Sequence, residues 1–96
     1  MKHVRYQSAG SVGLEETIDD LWEIAEDGYV VRSLHVQRDG SILKYDEGHA
    51  SDRYGVLPEG KITDAMLADR SLGVATAISA ADFDTRWAAK AKNERA

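Results

Sequence analysis

Three histidines, His3, His35 and His49, set among 17 acidic residues, are the side chains of this 96-residue chain best suited to chemistry. Imidazole titrates near neutrality, and a carboxylate beside it fixes its tautomer, so His–acid pairs are the usual start of acid–base catalysis. Asp46, His49 and Asp52 form the densest local set, in the polar stretch "DEGHASD". Oxygen and nitrogen ligands at that spacing hold a divalent ion weakly at best. No spacing in the chain supplies the three or four converging ligands of a metal centre, and none is assigned. His35, with His3 on a neighbouring strand and Arg5 nearby, is the arrangement a small hydrolase or nuclease would use. Serine hydrolase chemistry lacks a G-x-S-x-G elbow, and "PEGKIT" is not a phosphate loop, because Ile62 separates Lys61 from Thr63. The absence of cysteine excludes disulfides, thiolate zinc sites and a cysteine nucleophile. No cofactor is implied.

The acidic residues point elsewhere. The net charge is −5, yet the stretch from Leu14 to Gly28 holds seven acids and no Lys or Arg, which leaves the remainder weakly basic. Such a distribution disfavours nucleic acid, whose phosphates need a clustered basic face. It suits a basic partner protein, since complementary charge speeds encounter and selects partners. The candidate partner-binding residues are therefore Glu15, Glu16, Asp19, Asp20, Glu23, Glu26 and Asp27, with Trp22 and Tyr29 as aromatic anchors flanking the turn. The plain alternative is a solvated acidic face that only maintains solubility, with Trp22 in the core.

These residues must be positioned by a small sheet. "KHVRYQ" alternates and reads as a first strand, followed by a Ser/Gly-rich loop. Leu14, Ile18, Leu21, Trp22 and Ala25 fall at helical spacing, while "LWEIA" alternates like a strand and runs into an Asp-Gly turn; a loop followed by a strand at about 20–25 is expected. "EDGYVVRSLHVQRDGSILKYD" is a meander whose Asp27-Gly28 and Asp39-Gly40 pairs suit tight hairpin turns. Val30, Arg32, Leu34 and Val36 share one face there, with Ser33, His35 and Gln37 expected toward water. Arg32 then lies on the core side, and Glu23 on the preceding strand is its expected partner. A long loop with Pro58 follows, then a short helix in "ITDAMLADR" with Thr63 as N-cap, an edge or connecting strand in "SLGVATAI", and a helix in "ISAADFDTRWAAKAK". In that last helix Ser79 and Asp82 form a capping box, Phe83 and Trp87 pack on the sheet, and Lys90 and Lys92 occupy the final turn. The expected fold is α+β: an antiparallel sheet of about four strands with one or two C-terminal helices on one face. Residues 1–90 form the single domain and 91–96 a tail.

Glu23, Ile24, Val31, Arg32, Asp39, Gly40, Pro58, Ile78, Ser79, Phe83 and Trp87 resemble the pattern of a family of small bacterial domains of unknown function. In that family a strand meander ends in D-G, a Pro-containing loop follows, and an I-S-x-x-x-F-x-x-x-W helix closes the domain. The resemblance spans residues 20–90, but finds no equivalent for 8–13. It implies no catalytic residue, and it implies an immunity-like or inhibitory partner domain, bacterial or phage-encoded.

No apolar run approaches the ~20 residues that span a bilayer, and the N-terminus lacks the apolar stretch of a signal peptide, so a cytoplasmic location without membrane contact is expected. The expected function is non-catalytic: a protein-binding domain, an inhibitor or immunity-type protein that occludes a larger partner with a basic surface. The alternatives are a small hydrolase or nuclease centred on His35, and a homodimeric module paired through an exposed strand edge.

Overall fold

A computed structural model describes residues 1–8 and 17–93 of the chain. The first four strands, β1 (Lys2–Ser8), β2 (Thr17–Ile24), β3 (Val30–Gln37) and β4 (Ile42–Asp46), form an antiparallel meander. The strand expected at 20–25 thus begins earlier, at Thr17. Gly28 and Gly40 take φ of 91° and 86° at the two hairpin turns, a conformation that glycine alone adopts without steric cost. The loop after β4 folds into a two-stranded hairpin, β5 (Ser51–Asp52) and β6 (Gly55–Val56). Helix α1 (Asp64–Ala68) starts where the Thr63 hydroxyl accepts from the Met66 N–H. Strand β7 (Gly73–Ala77) returns antiparallel to β1, completing a five-stranded sheet of order β4-β3-β2-β1-β7.

Helix α2 (Ala80–Trp87) starts at Ser79, whose hydroxyl accepts from the Asp82 N–H. It stops at Trp87, so Arg86, not Lys90 or Lys92, is the base in its last turn. The segment beyond is not a free tail at its start. Ala91 is buried, the Lys92 N–H donates to the Ile42 carbonyl, and the Asn93 amide bonds both the N–H and the carbonyl of Lys44.

Both faces of the sheet are covered, for a reason visible in the register. One face carries Val4, Tyr6, Trp22, Ile24 and Val30, and Leu57, Ile62, Leu67 and Ala75 pack against it. The other carries Leu21 and Leu34, which meet Phe83, with Val36, Ile42, Ile78 and Trp87 around them. Helix α2 therefore covers one face, while the 57–67 segment with α1 covers its reverse. Val30 leaves the face of Arg32 and Leu34 because the β2–β3 register shifts between Glu23 and Ile24, a bulge that reverses the parity of the strand end. The face expected to meet water is closed instead: Ser33 is fully buried and Gln37 is buried.

Candidate functional site

Each described histidine ends beside a carboxylate, from a neighbouring strand for His3 and His35 and from three residues along the same loop for His49. On the helix face, His3 and Glu23 are direct cross-strand neighbours, and His3 Nε2 lies 2.9 Å from Glu23 Oε2. Arg32, opposite Glu23 on the next strand, donates to both of its oxygens at 2.8 and 2.6 Å and to Asp84 of α2 at 2.8 Å. Its guanidinium sits 4.9 Å from the Phe83 ring centre and 5.0 Å from that of Trp87. Arg32 thus ties α2 to the sheet by charge and by cation–π contact together. The two Arg32 hydrogen bonds overcome the cost of burial and hold the Glu23 carboxyl down at about 2, while Glu23 pushes Arg32 above the ordinary guanidinium range. The pairing expected from strand order is present, and it is structural.

The opposite face holds a second polar assembly. His35 Nδ1 lies 2.5 Å from Asp20 Oδ1, and its Nε2 lies 3.0 Å from the Ser33 hydroxyl. With Nδ1–H donating to Asp20, Nε2 accepts from Ser33, which is the connectivity of a Ser-His-Asp triad. Ser33, however, has no exposed surface, so its oxygen meets no substrate in this conformation. The neighbouring ring is Tyr45, also fully buried, at 5.3 Å from His35 and 5.9 Å from His49. The Tyr45 hydroxyl donates to Asp52 at 2.8 Å; His49 Nε2 at 2.7 Å, the Asn93 amide at 2.9 Å and the Tyr54 and Gly55 N–H groups converge on the same carboxylate. Burial alone would raise Asp52, but these donors outweigh it and hold it well below the ordinary carboxylate range. Burial, and then the bond to Asp52, pushes the Tyr45 phenol above its usual value. Asp46 does not join His49 and Asp52 around a common point. Its carboxylate accepts from the Gly48 and His49 N–H groups and shapes the turn. Among the described residues no three His, Asp or Glu side chains converge as metal ligands would.

The acidic segment does not form one surface. Glu15 and Glu16 lie outside the described residues. Asp19 points to the helix face and pairs with Arg5 at 2.9 Å, whereas Asp20 points to the other face and holds His35. Adjacent strand residues face opposite sides, which separates them necessarily. Glu23 is consumed by Arg32 and His3, and Trp22 is buried with its ring stacked on Tyr6 at 4.9 Å. Glu26, Asp27 and Tyr29 remain outward, all three at the β2–β3 turn, with Tyr29 49% exposed. The Asp27 carboxylate accepts from the Tyr29 N–H at 3.1 Å and sets the shape of that turn.

Beside the turn lies a cleft of about 550 Å³, lined by Met1, Lys2, Ile24, Glu26, Lys61 and Asp64 among others. Its far wall is the segment leading into α1, held by the Ile62 N–H donating to the Gly28 carbonyl at 2.8 Å and by a bridge between Tyr29 and Lys61. The Lys2–Asp64 ion pair closes one side. Lys61 and Asp64 carried no signal in the sequence, because only the return of residues 57–64 across the sheet brings them to the acidic turn; Lys2 reaches it through β1, where it pairs with Ile24. Comparison with protein families, curated proteins and solved structures finds nothing that matches this chain.

Proposed function

We propose that this chain is a non-catalytic protein-binding domain, an inhibitor or immunity-type protein of a bacterium or phage that acts in the cytoplasm by occluding a larger partner with a basic surface. The observation that carries this reading is the exposure of Tyr29 beside Glu26 and Asp27, at the rim of the cleft. A rigid aromatic flanked by acids gives contact area at low entropic cost and steers a basic partner. The contact is smaller than the acidic segment suggests, because Asp19, Asp20, Trp22 and Glu23 serve the fold. No helix among the described residues is long and apolar enough to cross a membrane. The test is affinity capture from the source cell, comparing the parent with Glu26→Lys/Asp27→Lys/Tyr29→Ala. A protein retained by the parent and lost by the variant, with the variant's melting temperature unchanged, supports the reading. Equal retention by both, or none by either, removes it.

A second reading, a small hydrolase centred on His35, rests on the Ser33–His35–Asp20 chain of hydrogen bonds. It requires a motion that uncovers Ser33. Labelling of Ser33 by a fluorophosphonate, abolished by His35→Ala, supports it; a parent protein that resists labelling eliminates it.

A further inference from the structure

The two edges of the five-stranded sheet are finished differently. On the β4 edge, the Ile42 carbonyl is bonded by the Lys92 N–H, and both outward groups of Lys44 by the Asn93 amide. On the β7 edge, no strand among the described residues lies beyond β7.

The orientation of the free backbone groups follows from one hydrogen bond. Ile78 N–H donates to the His3 carbonyl at 3.0 Å, so Ile78, Thr76 and Val74 direct their backbone groups toward β1. Gly73, Ala75 and Ala77 therefore present theirs outward. A row of unmet donors and acceptors is a template for one more extended chain.

We propose that this edge pairs with the β7 edge of a second copy, antiparallel, about a two-fold axis through Ala75. The register is self-consistent: Ala75 meets Ala75, and Gly73 meets Ala77 at either side, so outward-facing groups bond outward-facing groups throughout. Val74 then stands across from Thr76 of the second copy, a β-branched pair on the helix face. One step further out, Leu72 comes opposite Ile78. Leu72 and Val74 are 47% and 42% exposed in the single chain, and this pairing covers both.

Electrostatics favours the same occupant. β7 carries no charge, so the axis brings no like charges together although each copy is acidic. The approach to β7 in one copy runs beside the exit from β7 in the other. Arg70, with no ion-pair partner shown among the described residues, thereby nears the first turn of α2 that carries Asp82. β7 carries no lysine, proline or bulge, which are three of the usual guards against edge pairing. Because Lys92 and Asn93 close the β4 edge, association stops at two copies and a ten-stranded sheet.

Two measurements test this. Sedimentation equilibrium of the parent should show a monomer–dimer equilibrium with no larger species, shifted to monomer in Ala75→Pro. That substitution removes an outward N–H and leaves the ladder to β1 intact. Because the chain has no cysteine, the register can be read directly by mixing Val74→Cys and Thr76→Cys proteins under oxidising conditions. Non-hydrogen-bonded partners have Cα atoms about 4.5 Å apart, within disulfide range. The mixture should give a covalent dimer in large excess over either protein alone. A parent that stays monomeric at all concentrations, a larger assembly, or equal cross-linking in mixed and separate samples overturns the proposal.

Discussion

Replacing Arg32 by methionine removes the cation but keeps much of the stem that packs on Phe83 and Trp87, and so isolates the charge. Glu23, 12% exposed, would keep only His3 as a side-chain partner. Removing one member of a buried pair costs about 3–5 kcal/mol, and the 25% exposure of Arg32 puts this case at the lower end. The titration of Glu23 gives a second route to the figure. A carboxyl held at about 2 when folded, against an ordinary 4.5, contributes roughly 3 kcal/mol at neutral pH. For a domain of this length, ~3 kcal/mol corresponds to a melting temperature lower by about 12–24 °C.

The sign with pH is fixed by the same shift. The folded value lies below the unfolded one, so the stabilisation is complete above pH 4.5 and is lost as the pH falls toward 2. Urea unfolding of parent and Arg32→Met across that window should show a gap near 3 kcal/mol at neutral pH that closes on acidification. The double variant Glu23→Gln/Arg32→Met should recover part of the loss, because the orphaned charge is gone. A neutral-pH gap below about 1 kcal/mol, or a gap that persists unchanged in acid, refutes the assignment of Arg32 as an electrostatic clamp on α2.

Gly28→Ala should destabilise more than Gly40→Ala. Both residues have positive φ, but a Cβ at 28 meets Lys61 Cγ at 2.6 Å whereas one at 40 meets nothing within 4 Å. Thermal melts should show a cost of about 1 kcal/mol at Gly40, from strain alone, and a larger one at Gly28. Asn93→Ala should speed hydrogen exchange at the Lys44 amide with little effect on the amides of β1, as measured by NMR. Asp52→Asn should lose about 1.5–3 kcal/mol at neutral pH, because charge-assisted bonds become neutral ones. Since Asp52 is held well below its ordinary 3.8, the parent's advantage over that variant should be full above pH 3.8 and decline progressively as the pH falls below it toward the folded value, as read in urea titrations.

Local signals carried much of this architecture in the sequence. The two Asp-Gly pairs mark the hairpins, alternation marks β1 and β3, and Thr63 and Ser79 mark the helix starts. Arg32 and Glu23 could be paired in advance because adjacent strands fix cross-strand neighbours once the turn between them is known. What escaped is governed by contacts distant in sequence. Ser33, His35 and Gln37 alternate like a solvated face, but the hairpin and the 57–67 segment close over that side. Val30 changed faces because a bulge carries no compositional mark. The acidic run misled most: seven acids in one stretch look like one surface, yet strand parity divides Asp19 from Asp20, and Arg5, His35 and Arg32 claim Asp19, Asp20 and Glu23 in turn.

The Asn93 side chain fills the place of a strand residue along β4, and this has a consequence for the order in which the domain is made. On a ribosome, the meander emerges first and its β4 rim stays open through the synthesis of everything that follows. Only the release of residues 92 and 93 supplies the donors and acceptor that seal it. The β4 rim is therefore still open after β7 has covered β1, and a chain cut at residue 90 would keep every strand of the sheet while remaining in that unsealed state.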